Sequence, residues 1–469
     1  MQRREFLGLA AGTLLVGCDD RGAANLPKPP AATTGPDGKR RLPWQNWSGY
    51  QHGLPAERLA PESLDALVEA MRAAPGPIRP VGAGHSFTPL VPADGGTLLS
   101  LRNFEGVLAH DAGTLTATVG GGTRLADLGE PLERIGQALP NMPDIDKQTL
   151  AGAIATATHG TGASLGAMHS YVTALQLVTP RGEVIDCSRE RRPDVFAAAL
   201  VSVGSLGVIT QCTLQNVPAH RLKRRVWMEP LDSMLERFDE LVAKHHSFEF
   251  YVVPSSDHAV VYAIDPTDEP VRPRDDVASD NESVRLLKAG RDWLSWAPRL
   301  RRWVTNTADE YVSAAAEAVD ASWRIFPSER EVRFNEMEYH LPREHLLPTL
   351  RKVRETLDQR HPEIFFPIEV RVVRGVGDGA LLSPFQGHAV SGSIAVHHSH
   401  VEDPLPYFAD IEPLFREASG RPHWGKMNTL GAADFAALYP RWQEFLDVRA
   451  ALDPEGKMLN PYLRKVFGL

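Results

Sequence analysis

A glycine turn that delivers a histidine constrains this chain more than any other feature. Ile78, Arg79, Pro80 and Val81 read as a short strand, and Gly82-Ala83-Gly84-His85-Ser86 follows it at once. Small residues in such a turn let backbone N–H groups approach a diphosphate closely. The third glycine and the following helix of a dinucleotide-binding βαβ turn are missing, which excludes that reading. A second element spans residues 150–162, a run of small and hydroxyl residues in which Ile154 is the bulky exception. A packed helix would not choose this composition, whereas a segment lying against a flat polar cofactor would. The third element, residues 203–210, is a glycine turn that leads into a strand.

The first residues read as an address. Arg3 and Arg4 precede a short apolar run from Phe6 to Gly17, too short to span a bilayer core as a mature helix. The paired arginines resemble a twin-arginine export signal, a route taken by proteins that fold before export. Leu15-Val16-Gly17-Cys18 resembles a lipobox, which would lipidate Cys18; with Asp19 next, the expected place is the periplasmic face of the inner membrane. An incidental Cys18 with cleavage nearby is the plainer alternative. Residues 1–18 are thus expected to be a signal peptide and residues 19–45, rich in Pro, Gly, Ala and Thr, a flexible linker.

The mature chain divides by texture. Residues 46–218 alternate short apolar strands with glycine turns and a few helices. A helix is expected over 61–74, another from a Thr123 cap through Leu125, Leu128 and Leu132, and a hairpin over 174–186. Residues 219–438 carry longer helices, at 231–244 and 343–360, between strands at 248–253, 332–339, 368–373 and 391–397. Residues 268–282 are expected to be a surface loop, and 439–469 a helix followed by an extended tail. The 469-residue chain has an ordinary globular composition and a formal net charge of −9. That balance, with no basic stripe, excludes nucleic acid as the main partner; the short cluster Arg221, Lys223, Arg224, Arg225 is expected on a solvated edge. Three cysteines build no disulfide framework. Cys187 and Cys212 are open to pairing after export or to staying as buried thiols. No Cys/His spacing suggests a metal site.

In this order, the three glycine-rich elements resemble the FAD domain of the vanillyl-alcohol-oxidase flavoprotein superfamily. Four further stretches make the chain similar to its sugar-1,4-lactone oxidase family: Glu336-Met337-Glu338-Tyr339, Ile368-Glu369-Val370-Arg371, Pro422-His423-Trp424-Gly425-Lys426 and Leu459-Asn460-Pro461-Tyr462. The likeness covers residues 43–469. It implies an α+β protein: a two-subdomain FAD-binding domain of p-cresol methylhydroxylase type over 46–218, an α+β substrate (cap) domain over 219–438, and a 439–469 segment that returns to the FAD domain.

The resemblance also assigns roles. His85 is the position that bonds the flavin 8α-methyl, with non-covalent FAD as the alternative. Gly82, Ala83, Gly84 and Ser86 would line the diphosphate. Gly152, Thr156 and His159 would follow the cofactor, and Ile209 would lie near the adenine; His159 is equally open to a packing role. Pro143 and Asp144 fall where relatives edge the reactive side of the ring, and depart from the small-then-hydroxyl pattern common there. Glu369 and Arg371, two apart on a strand, face one side. Arg371 would bind substrate and oppose developing charge, Glu369 would orient the substrate hydroxyl or take its proton, and Lys426 would be the cation near flavin N1. His397 and His398 are candidate bases.

The expected activity is oxidation of a CH–OH group of a sugar-1,4-lactone, D-arabinono-1,4-lactone oxidase-like, with hydride passing to flavin N5 and oxygen as acceptor, giving hydrogen peroxide. Alternatives are an alditol or polyol oxidase and a lactone dehydrogenase that passes electrons to a quinone or cytochrome. A non-catalytic, lipid-anchored binding protein would have lost Glu369, Arg371 or Lys426, and all three are present.

Overall fold

The structure is a computed structural model that describes residues 26–274, 277–312, 316–328 and 330–469. The apolar run at 6–17 and Cys18 lie outside the described residues.

Two sheets build the glycine-rich half. A parallel sheet places Thr97–Ser100 between Glu57–Leu59 and Ile78–Val81. An antiparallel sheet follows in the order Val184–Ser188, Val172–Val178, Val208–Gln215, Thr116–Gly120, Val107–Asp111. The expected hairpin forms: Ala174 pairs with Ser188 and Val178 with Val184. Helix Leu64–Ala73 is capped by the Ser63 side chain and buries Leu67 and Met71. Cys187 and Cys212 are free, buried thiols. Both face Leu175, one from each neighbouring strand, so about two strand spacings separate them, beyond disulfide reach.

An eight-stranded antiparallel sheet forms the other half, in the order Ala316–Ala321, Arg221–Pro230, His258–Thr267, Ser247–Val252, Ile368–Arg374, Val390–Ser399, Phe334–Pro342, Arg421–Pro422. Helices Leu346–Arg360 and Leu405–Glu417 cover one face and share its apolar core with Phe250, Val370 and Ile394. The C-terminal helices pack back against the glycine-rich half; that core runs through Leu430, Phe435, Phe445 and Leu463.

Several expectations are corrected. The 150–162 run begins with a helix, Leu150–Ala155, because its small residues let it pack closely: Leu150, Ala153 and Ile154 are fully buried. Thr123 does not cap a helix; its hydroxyl donates to Gly120 O, and a 3₁₀ turn, Leu125–Asp127, precedes helix Gly129–Arg134. The basic cluster at 221–225 lies on an inner strand. There Lys223 pairs with Glu269 and Glu317, and the buried Arg224 lies over Tyr262. Part of the expected 268–282 loop opens helix Val277–Leu294. The tail is helical over Pro461–Phe467. Asn460 caps it by accepting from Leu463 N, and its amide donates to Pro89 O and Pro92 O.

Arg79 ties these parts together. Its guanidinium, fully enclosed, donates to the carbonyls of Leu90, Val203, Gly204 and Met458. Burial pulls it down to about 9, with Asp453 opposing, so the charge persists at neutral pH. Arg79→Met leaves the Val203, Gly204 and Met458 carbonyls without this donor, while Leu90 O keeps the Asn460 amide. The expected cost is about 3 kcal/mol or more, read as a lower urea midpoint with an unchanged slope; a wild-type midpoint would show that water replaces the guanidinium.

Candidate active site

A cleft of about 450 Å³ opens between the two sheets of the glycine-rich half and the His423–Lys426 loop. Gly82, Ala83, Gly84, His85, Ser86, Gly152, Thr156 and Ile209 all line it. Backbone approaches too close for side chains shape its walls. A Cβ on Gly82 would lie 2.3 Å from Thr149 Oγ1, one on Gly121 2.3 Å from Ile209 O, and one on Gly122 2.0 Å from Leu101 O. Gly84 takes φ +70°, open to glycine at little cost. Such a smooth, amide-rich cradle fits an extended dinucleotide cofactor.

The His85 loop is latched to the His423–Lys426 loop. Phe87 N–H donates to Gly425 O (2.6 Å) and the Thr88 hydroxyl to Trp424 O (2.8 Å). Trp424 is itself fixed by its indole N–H on Leu382 O and by stacking on Phe435. The His85 ring stacks on Trp47 at 5.1 Å. Burial, then Lys426, Lys147 and Arg124, lowers His85 to about 4, so the imidazole is neutral and keeps a free lone pair.

Behind Lys426, one face of four adjacent strands carries the charged groups. Register places Tyr251 opposite Glu369 and Glu249 opposite Arg371, while Glu336 faces His397. Arg371 pairs with Glu369, with Glu249 (2.7 Å) and with Asp144 (3.3 Å). Tyr251 donates to Glu369 (2.7 Å). One guanidinium cannot hold three buried carboxylates ionised equally. For Asp144, burial pushes up, but Arg371, Arg330 and Lys426 outweigh it and hold the acid below the ordinary carboxylate range. Glu369 has no second cation: burial raises it to about 8 against the pull of Arg371, with Asp144, Glu249 and Glu336 adding to burial. Burial pulls Lys426 down, yet its ion pair with Glu336 and the nearby Glu338 keep the ammonium above its ordinary value.

Some expected site residues fall elsewhere. Pro143 and Asp144 do not line the cleft; Ile145 does, because Asp144 turns to Arg330 (2.8 Å) and Arg371. His159 also leaves the wall. Its Nδ1 faces Gly160 O and its Nε2 lies 2.9 Å from Glu338. His397 sits among Glu336 and Glu369, at 3.8 and 3.9 Å. Burial and Lys426 lower it to about 3, which makes it a poor base. His398 points to the opposite face, against Tyr407. Glu249, Tyr251, Glu336 and Glu338 were given no role from sequence; their signal was the same two-residue period that marked Glu369 and Arg371.

Two buried triads, His159/Glu338/His423 and Glu336/Glu369/His397, come within metal-ligand reach, which linear spacing does not show because separate strands and loops supply them. The first is already committed: Glu338 accepts from Ser393 and faces His159, and Gly425 N–H donates to His423 Nδ1, leaving the proton on Nε2. The second surrounds the Lys426 ammonium.

Comparison with known proteins agrees with this layout. A family profile for D-arabinono-1,4-lactone oxidase matches residues 212–466, and one for an FAD binding domain matches residues 55–188. The chain is 37% identical to L-gulono-1,4-lactone dehydrogenase of Mycobacterium tuberculosis over 436 residues, covering 91% of this chain and 99% of that one. It is 31% identical to L-gulonolactone oxidase of Bos taurus (92% and 99% covered) and 29% identical to an alditol oxidase of Streptomyces sp. (89% and 97%). Cholesterol oxidase from Brevibacterium sterolicum shares the fold, with a TM-score of 0.76 at 17% identity, covering 94% of this chain and 99% of that one. The architecture is α+β with an FAD-binding domain of p-cresol methylhydroxylase type.

The raised Glu369 has a stability consequence. The unfolded chain loses this proton near about 4.3, whereas the folded protein keeps it to about 8. Its contribution is therefore full below the unfolded value and is lost as pH rises through about 8. Between pH 6 and 9, Tm of the wild type should fall more steeply than Tm of Glu369→Gln. Parallel slopes would show Glu369 ionised throughout.

Proposed function

The chain belongs to the D-arabinono-1,4-lactone oxidase family and is an FAD-dependent oxidoreductase acting on a CH–OH group of a sugar lactone; we propose that its FAD is bonded to His85 and that Glu369 takes the substrate proton. The observation that carries this reading is the neutral His85 on the cleft wall, latched through Phe87 and Thr88 to the loop that bears Lys426. A neutral imidazole offers the lone pair that a carbon–nitrogen bond needs.

When bound, FAD supplies the acceptor for two electrons from the hydroxyl carbon. The chain supplies the rest. Gly82, Gly84 and Ser86 would hold the diphosphate, and Gly152, Thr156 and Ile209 the remainder of the cofactor. Arg371 would fix the substrate oxygen, and Glu369, deprotonated, would accept the hydroxyl proton. Lys426 places positive charge beside the cleft, where it opposes negative charge that develops during oxidation. Oxygen is the acceptor we assign, with hydrogen peroxide as product. The likeness to a protein named L-gulono-1,4-lactone dehydrogenase favours a second reading in which a quinone or cytochrome accepts the electrons. We also assign residues 1–18 to twin-arginine-type export and Cys18 to lipid anchoring at the inner membrane.

Acid precipitation tests the His85 bond: the yellow colour should stay with the protein pellet and move to the supernatant in His85→Ala. Wild-type colour left in the supernatant would refute it. In anaerobic bleaching of the bound flavin by a panel of aldonolactones and alditols, Glu369→Gln should slow the reaction about 10²–10⁴-fold. The wild-type rate should fall as pH drops below about 8. Mixing reduced enzyme with air in a stopped-flow instrument separates the acceptors; slow reoxidation would overturn oxygen.

A further inference from the structure

The helical hairpin formed by Val277–Leu294 and Pro298–Val312 carries apolar residues on its outer face as well as its inner one. On a solvated hairpin the apolar stripe faces the body and the charges face water. Here Trp293, Trp296 and Trp303 are 56%, 78% and 65% exposed, with Leu286, Leu300 and Val304 exposed around them. The inner face seats Val284 and Leu287 against the apolar core and carries buried arginines beside them. Arg291, 8% exposed, pairs with Glu402 and lies over Phe365, and Arg301, 5% exposed, donates to Ser255. Leu286 and Trp293 are seven residues apart, and Leu300, Trp303 and Val304 sit three and four apart, so each helix aligns its exposed apolar residues on one outward stripe.

We propose that this hairpin is a membrane-surface anchor that seats its indoles at the headgroup level of an anionic bilayer. Three observations select lipid as the occupant. Tryptophan, apolar in body and polar at one N–H, suits the interface between acyl chains and headgroups. Around the indoles, Arg285, Lys288, Arg299 and Arg302 are at least partly exposed against one acidic side chain, Asp292, while Asp280, Glu282, Asp309 and Glu310 lie toward the outer ends of the two helices; in a chain of net charge −9 that basic tip complements anionic lipid. Arg285, Lys288 and Arg302 hold partly exposed surface pairs with Glu331, Asp292 and Asp257. Such pairs are worth little in water and can be exchanged for phosphate. Among the described residues no helix is long and apolar enough to cross a membrane, so the hairpin lies on the bilayer rather than through it. A second copy fits less well, since a two-fold contact would set one basic rim against the other.

Hydrogen exchange of the full-length holoenzyme tests the proposal with vesicles of phosphatidylglycerol and phosphatidylcholine. Amides over 286–304 should exchange at least tenfold more slowly with the anionic vesicles than without them. The combined variant W293S/W296S/W303S should lose that protection while its flavin is still bleached by lactone. Exchange unchanged by vesicles overturns the proposal. So does protection without lipid that grows with protein concentration, which would mark self-association, or protection that requires an added cytochrome.

Discussion

Arg371 is the interaction on which the candidate site depends. A guanidinium buried among Glu369, Glu249 and Asp144 joins three separate pieces of chain: two sheet strands and the loop that precedes helix Leu150–Ala155. Taking these charges out of water is expensive, and the pairing repays it only while the geometry is held. The sheet holds it, because Glu249 and Arg371 are cross-strand neighbours and share one face. The loop carrying Asp144 is drawn to that face, and this turns Asp144 away from the cleft and leaves Ile145 on its wall.

The same charge distribution sorts the histidines. Lys426 keeps its ammonium because Glu336 lies against it. Its field, together with burial, then drives His85 and His397 toward neutrality. A site with several imidazoles therefore contains one lysine cation at the cleft, and the proton-accepting role passes to a carboxylate whose own burial makes it basic. Glu369 is suited to that role by what it lacks: Asp144 has Arg330 as a second partner, and Glu369 shares Arg371 with two competitors.

Local signals made the cradle readable. Gly82, Gly84 and Gly152 announce themselves through composition and order, the family resemblance adds His85 and Ile209, and all reach the cleft. The alternation in Glu369-Val370-Arg371 revealed a shared face without naming what lay opposite. Glu249 and Tyr251 stayed hidden because register between strands about 120 residues apart leaves no mark in either strand alone. His159 was left open between cofactor and packing roles for a similar reason: its partner, Glu338, is 179 residues away. The helix at Leu150–Ala155 was missed because alanine-rich runs serve tight helix packing as well as loops against a cofactor. The C-terminal helix lay in the segment expected to be an extended tail, although proline is favoured in the first turn after an asparagine cap.

The bond from Arg79 to Met458 O spans 379 residues. Loops before position 93 and the segment near 460 also share the Asn460 amide bonds. The strand that leads into the Gly82 wall is thus held by a segment 379 residues downstream that lines none of the cleft itself. A change at Met458 or Asn460 therefore reaches the cradle at second hand, through the buried hydrogen bonds that fix Arg79 and the Pro89–Pro92 loop.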